Sequence, residues 1–274
     1  MDKSQAQEKI REQYQNTLAT NHTLALQVSC VSKSLGNNPN IFLDGFLKYD
    51  TDVGTYGNEI YKDVAVKAGM YFKYYVQESY QSERQAILSN MVRSCKEIKS
   101  IVDVGFAVPG KYVLETLQER PSVHMTLLDK FESSIRFSEA LLTCVAPSWK
   151  EQITIDTYDM DSYILPKKSD LYIFFDSIEH TKNPDKYLKT LLESAPQDAY
   201  FIFSLPVERV EVSGGGINDP MHFIEFTSED DIRNWLTKHG LKILEEKITR
   251  PKSGDVWLPV EDGFYNLIVK TQKA

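Results

Sequence analysis

From residue 100 onward, short apolar runs alternate with amphipathic segments at a spacing that few folds can use. Residues 98–104, 124–128, 152–157, 170–175 and 199–205 are rich in β-branched and aromatic side chains and read as strands. Between them, 112–120, 132–143 and 184–194 carry helical spacing. A further helix is expected over 227–239, with Thr227 as N-cap, Asp230 completing a weak capping box, and Gly240 ending it. Strands separated by helices run parallel, because a parallel neighbour needs a long crossover, and such a sheet is covered on both faces. The tail differs: 241–248 and 265–271 are strand-like with no helix between them, and so form an antiparallel pair.

Residues 1–99 have another texture. Helical spacing is found over 3–31, 57–78 and 80–98, whereas 35–52 carries Gly, Asn and Pro and reads as loop. Asn37-Asn38-Pro39 and Asp52-Val53-Gly54 have the chemistry of turns. The expected organisation is therefore a helical region over 1–99, serving as lid and substrate pocket, followed by an α/β domain over 100–274. A chain of 274 residues is long enough for one such domain with an extension.

Composition narrows the partners. The longest apolar runs, such as Leu171-Tyr172-Ile173-Phe174-Phe175, are far too short to cross a bilayer, so no membrane association is expected. Residues 1–15 are polar and lack the apolar stretch of a signal peptide, which points to the cytoplasm. With 31 basic and 39 acidic residues the net charge is −8, which disfavours nucleic acid as substrate. Cys30, Cys95 and Cys144 are scattered, and read as small buried residues in a reducing compartment. No disulfide and no metal site is expected from their spacing, and a homodimer is one assembly the chain allows.

The first strand feeds the turn Asp103-Val104-Gly105-Phe106-Ala107-Val108-Pro109-Gly110 and then a helix. Such a turn lets backbone approach a nucleotide closely, and the helix N-terminus offers unpaired N–H groups. Asp129, ending the second strand, stands where a carboxylate can accept from ribose hydroxyls. Gly105, Ala107 and Gly110 fit a relaxed G-x-G-x-x-G, and the turn is equally similar to D-x-G-x-G-x-G with Ala107 and Pro109 on the second and third glycines.

Two further segments separate these readings. Asp170 through His180, followed by Asn183-Pro184, resembles the fourth motif of class I S-adenosylmethionine-dependent methyltransferases, a strand ending in x-x-L-E-H-x-x-x-P. Pro220-Met221-His222-Phe223-Ile224-Glu225-Phe226-Thr227 is similar to the P-x-H-x-x-x-F-T/S segment of the same family. The resemblance covers roughly 101–270 and implies a Rossmann-like, seven-stranded, mostly parallel sheet closed by an antiparallel pair. It also implies S-adenosylmethionine as cofactor and S-adenosylhomocysteine as product. Carried over, Gly105, Ala107 and Gly110 lie against the cofactor, and Asp103 orients the turn or meets its amino group. Asp129 holds the ribose. Asp159 with the Met160 backbone meets adenine, with Asp161 as rival, and Phe175 and Asp176 face the sulfonium. Ala107 and Pro109 depart from the family pattern, Pro109 by removing a donor.

The expected activity is transfer of methyl to oxygen, nitrogen or carbon of a small metabolite. An NAD-dependent oxidoreductase, with a fully parallel sheet, and a non-catalytic scaffold, with a pocket blocked at Ala107 and Pro109, are the alternatives. His180 and His222 are candidate general bases in loops at the carboxyl edge, with Glu179 and Glu225 to orient or polarise them. Tyr56 and Tyr61 are candidates for the acceptor side, and Ser213-Gly214-Gly215-Gly216 for a mobile cover.

Overall fold

The computed structural model describes every residue except 1–2, 78, 163, 165, 209–221 and 252–263, and gives backbone alone for 51–58, 208 and 264. The seven strands are β1 (Ser100–Val104), β2 (His124–Asp129), β3 (Ile153–Thr157), β4 (Leu171–Phe175), β5 (Tyr200–Glu208), β6 (Leu241–Thr249) and β7 (Phe264–Lys273). They form one sheet in the order β3-β2-β1-β4-β5-β7-β6. The first five are parallel, while β7 runs antiparallel to both β5 and β6. This is the expected α/β architecture, and its antiparallel ending removes the fully parallel sheet of the oxidoreductase alternative.

The helices are α1 (Lys3–Thr20), α2 (His22–Ser34), α3 (Ile41–Tyr56), α4 (Val64–Lys73), α5 (Tyr80–Ser94), α6 (Lys111–Glu119), α7 (Glu132–Val145), α8 (Pro184–Ser194) and α9 (Glu229–Lys238). The N-cap of α9 is Ser228, whose Oγ accepts from the Asp231 amide at 3.2 Å, not the expected Thr227. Thr227 instead donates through both its amide and its hydroxyl to the Asp231 carboxylate, at 3.0 and 2.8 Å.

The N-terminal region departs most from expectation. One helix over 3–31 is two, broken at Asn21, whose side chain caps α2 by accepting from the Leu24 amide at 3.0 Å. The loop expected over 35–52 is helical from Ile41 onward. Of its two glycines, Gly45 is there for close approach: a Cβ on Gly69 of α4 would stand 2.2 Å from the Gly45 carbonyl carbon of α3. Glycine at that crossing lets two helices meet backbone to backbone, a demand of tertiary packing that reads as a breaker in one dimension.

Cys30 of α2 and Cys144 of α7 form a disulfide, and Cys95 is the buried free thiol. This corrects the unpaired reading and withdraws the cysteine argument for a reducing compartment. The partners lie 114 residues apart, so no local spacing could announce the pair. Reduction is expected to lower unfolding free energy by about 2–4 kcal/mol, through the entropy of the opened loop. Thermal melts with and without a thiol reductant check this, and coincident midpoints would contradict it.

Candidate functional site

The carboxyl ends of β1 to β4 open onto a cavity with about 200 Å³ of space for water-sized molecules, roofed by α4, α5 and the 3-10 turn Gly57–Lys62. Of the expected cofactor residues, Asp103, Gly105, Ala107, Gly110, Asp129, Asp159, Met160, Phe175 and Asp176 all line it. Tyr61 and His180 line it as well, and Tyr56 has its side chain outside the described residues.

The turn after β1 is built by close contact. Gly105 has φ +74, and a Cβ there would stand 2.5 Å from Ser177 Cβ in the turn after β4, so the two turns touch only because the side chain is missing. Ala107, although not glycine, also has positive φ at +52. Its amide donates to Asp129 Oδ2 at 2.9 Å, while Phe131 N–H donates to Oδ1 at 2.8 Å. Asp129 is 5% exposed, its carboxylate is oriented by two backbone donors, and the residue lines the cavity with lone pairs to spare. The cavity is open beside Ala107, contrary to the blocked pocket that the scaffold alternative requires.

Asp103 is buried at the floor. Its Oδ2 accepts from the Tyr112 hydroxyl at 2.6 Å, whereas Oδ1 has no partner among the described residues. Burial pushes its carboxyl up to about 7, against the Tyr112 bond, which favours the charged form. A buried carboxylate oxygen left open beside a cavity is a place for a donor, ideally a cationic one.

At the far end, Asp176 accepts from a buried network. Arg84 of α5, 2% exposed, donates to Asp176 Oδ2 and, at 2.5 Å, to Ser204 Oγ of β5. Asp176 Oδ1 receives Ser204 Oγ and Asn266 Nδ2 of β7, each at 2.8 Å. The Arg84 guanidinium also lies 4.4 Å from the Phe175 ring centroid, so one cation fixes both residues expected at the sulfonium end. Asp159 Oδ1 accepts from the Asp161 amide at 3.0 Å, and Asp161 spends Oδ1 on Thr181 Oγ1 and the Lys182 amide, both at 2.8 Å. Asp161 therefore pins one loop to another.

His180 and His222 are brought together, with ring centroids 4.8 Å apart. His180 ends the 3-10 turn Ile178–His180. The His222 segment is held beside it by the Phe223 amide, which donates to the Glu179 carbonyl at 2.7 Å, and by Phe226, buried on the Trp235 ring at 5.6 Å. Glu179 is fully buried behind them, and burial, with repulsion from Asp176, pushes its carboxyl up to about 8. Glu225 is exposed and does not line the cavity. The Ser213-Gly214-Gly215-Gly216 segment lies outside the described residues.

Sequence reasoning missed Lys67, Arg84, Gln85 and Ser177. Lys67 is 1% exposed and sits 5.2 Å from the Tyr61 ring centroid and 5.1 Å from that of Phe131. Burial lowers its ammonium to about 8, with Asp129 opposing that shift. Gln85 of α5 accepts from the Lys111 amide at 3.1 Å and so caps α6, whose own N-cap, Gly110, has no side chain to do it.

A five-stranded parallel core closed by an antiparallel β7, with a carboxylate ending β2 and an acidic cavity at the carboxyl edge, defines a class I methyltransferase fold. The sequence pattern of the methyltransferase domain family matches residues 72–246, more than half of the 274 residues, and the chain belongs to that family. No curated protein sequence matches it. Among solved structures, the [4+2]-cyclase SpnF has a TM-score of 0.55 at 12% identity, covering 72% of this chain and 83% of its own. The 1,6-didemethyltoxoflavin-N1-methyltransferase of Burkholderia thailandensis, with 1,6-didemethyltoxoflavin and S-adenosylhomocysteine bound, scores 0.53 at 17% identity over 84% and 88%. Magnesium protoporphyrin IX methyltransferase (ChlM) of Synechocystis PCC 6803, with S-adenosylhomocysteine, scores 0.52 at 14% identity over 83% and 97%. At these identities the likeness is one of fold. Among the described residues no helix is long and apolar enough to cross a membrane.

Proposed function

We propose that the chain transfers methyl from S-adenosylmethionine to a nucleophilic atom of a small molecule. The observation that carries this reading is the charge of the cavity: among the described residues Asp103, Asp129, Asp159, Asp161 and Asp176 line it, against Lys67 and Lys130. With Asp176 paired to Arg84, the other four carboxyl groups still outnumber the two lysines, which disfavours the pyrophosphate of a dinucleotide and favours a ligand that carries a sulfonium and an ammonium. Asp103 Oδ1 would take the ammonium, Asp129 the ribose hydroxyls, and Asp159 with Met160 the adenine edge. Bound there, the cofactor supplies an electrophilic methyl group, so the protein's own work is to orient the acceptor and exclude water. We assign Glu179, His180 and His222 to the acceptor side, where they would serve the removal of a proton from the attacking atom. Tyr56 and Tyr61 belong to the same side. A net charge of −8 favours a small acceptor over nucleic acid. A cytoplasmic setting remains part of this reading, with the Cys30–Cys144 bond as the observation against it.

Calorimetric titration with S-adenosylmethionine and S-adenosylhomocysteine, with NAD as control, tests the reading. Binding of the first two and not the third is expected; the reverse order would overturn it. The same titration has a pH signature. The carboxyl of Asp103 ionises near 7 in the folded chain against 3.8 ordinarily, so its contribution to stability is full below about pH 4 and is lost as pH rises through 7. A ligand ammonium selects the ionised form. Affinity is therefore expected to rise about tenfold from pH 5 to pH 6 and to flatten above 7. Asp103→Asn should make the profile flat, and an equally steep profile in that variant would remove Asp103 from the site.

A further inference from the structure

We propose that Glu179, His180 and His222 form a binding site for one divalent transition-metal ion on the acceptor side of the cavity. One ligand atom from each lies within 4.8 Å of the other two. Around an ion with metal–nitrogen bonds of about 2.0–2.1 Å, tetrahedral ligands stand about 3.4 Å apart, a spacing that modest side-chain rotation reaches from here. Two imidazoles and one carboxylate on one side of an ion, with the remaining positions open, are a donor set suited to zinc, iron or cobalt.

The second observation is the state of Glu179. It is 0% exposed, and neither carboxylate oxygen has a hydrogen-bond partner among the described residues. A buried carboxylate with no donor carries its full desolvation cost, which a cation on both oxygens or on one removes. Of the groups whose charge reaches Glu179, His222 is itself one of the three proposed ligands, and Arg84 is engaged by Asp176 and Ser204. Asp176 in turn is committed to Arg84, Ser204 and Asn266, which leaves Glu179 as the open carboxylate of the pair.

The site is also held in place. The Phe223 amide to Glu179 carbonyl bond ties the two segments that carry the ligands, and the buried Phe226 anchors the second of them. His180 lines the cavity while Glu179 and His222 stand behind it, so the site borders the space where an acceptor would lie. There an ion would bind a hydroxyl or enol oxygen of the acceptor and favour its ionised form. That use rests on the methyl-transfer reading; the existence of the site does not.

The test takes the full chain, stripped with a chelator and dialysed, and titrates it with Co²⁺ by visible absorption and with Zn²⁺ by calorimetry. Saturation at one ion per chain is expected. His222→Ala and Glu179→Gln should each weaken binding at least about a hundredfold, the upper end of what loss of a mere outer-shell partner costs. Substitution of the exposed His124 by Ala should leave it unchanged. S-adenosylhomocysteine binding is measured on every variant and is expected to persist in His222→Ala, which shows that the fold is intact. Absence of stoichiometric binding, or binding indifferent to both substitutions, overturns the site, and Glu179 is then a protonated acid. If the ion binds while S-adenosylhomocysteine does not, the site stands and the methyl-transfer reading fails.

Discussion

Replacing Asp129 with alanine is expected to weaken S-adenosylmethionine binding by about a hundredfold or more. The carboxylate does two things at once. It accepts from the amides of Ala107 and Phe131, which holds Ala107 at φ +52, a conformation that costs a non-glycine residue on the order of 1–2 kcal/mol. It also has lone pairs to spare on a residue that lines the cavity, where two ribose hydroxyls would donate. Hydrogen bonds to a charged group contribute about 1.5–3 kcal/mol each, so losing two exceeds the roughly 2.8 kcal/mol that corresponds to a hundredfold change. Asp129→Asn keeps one oxygen acceptor but turns an NH2 toward the Ala107 or Phe131 amide, so its loss should fall between about tenfold and that of the alanine variant. Calorimetry on both variants decides the matter; unchanged affinity in Asp129→Ala would mean that the ligand does not use this carboxylate.

The largest stability effect is expected at Arg84. In Arg84→Met the apolar stem survives while the cation that Asp176, Ser204 and the Phe175 face share is gone. Breaking a buried pair from one side costs about 3–5 kcal/mol, and because Asp176 is 34% exposed the lower end applies, about 3 kcal/mol. Adding Asp176→Asn removes the orphaned charge and should recover part of the loss. Urea unfolding of the single and double variants measures both values. A single variant as stable as the parent would show that solvent reaches Asp176 and that the network carries little energy.

The strands, their alternation with helices and the antiparallel ending were legible because each is a local pattern of burial. The segment 171–175 is apolar on both faces since it is the central β4, with neighbours on either side. The residues lining the cavity were legible for a related reason: chain ends at the carboxyl edge of a parallel sheet must converge. What was not legible depends on distant partners. Arg84 looks like any charged helical residue until Asp176, 92 positions away, is beside it. Lys67 belongs to a site only because α4 packs over Asp129 and Phe131. Glycine at position 45 reads as a turn in one dimension and as a helix crossing in three. His180 and His222 could be named singly, yet their adjacency with Glu179 needed the Phe223 bond across 44 positions of chain.

Neighbouring residues of α5 support two adjoining turns of the site: Arg84 holds the turn after β4, and Gln85 caps the helix that follows β1. The helical region is consequently no detachable module. A graft of residues 1–99 from a relative, made to change acceptor choice, would import foreign side chains at both supports and disturb the cofactor side along with the acceptor side. On the proposed reading, in which the helical region carries the acceptor side, acceptor choice would be inherited together with the cofactor pocket, and exchange would have to be made within α3 and α4 while α5 stays native.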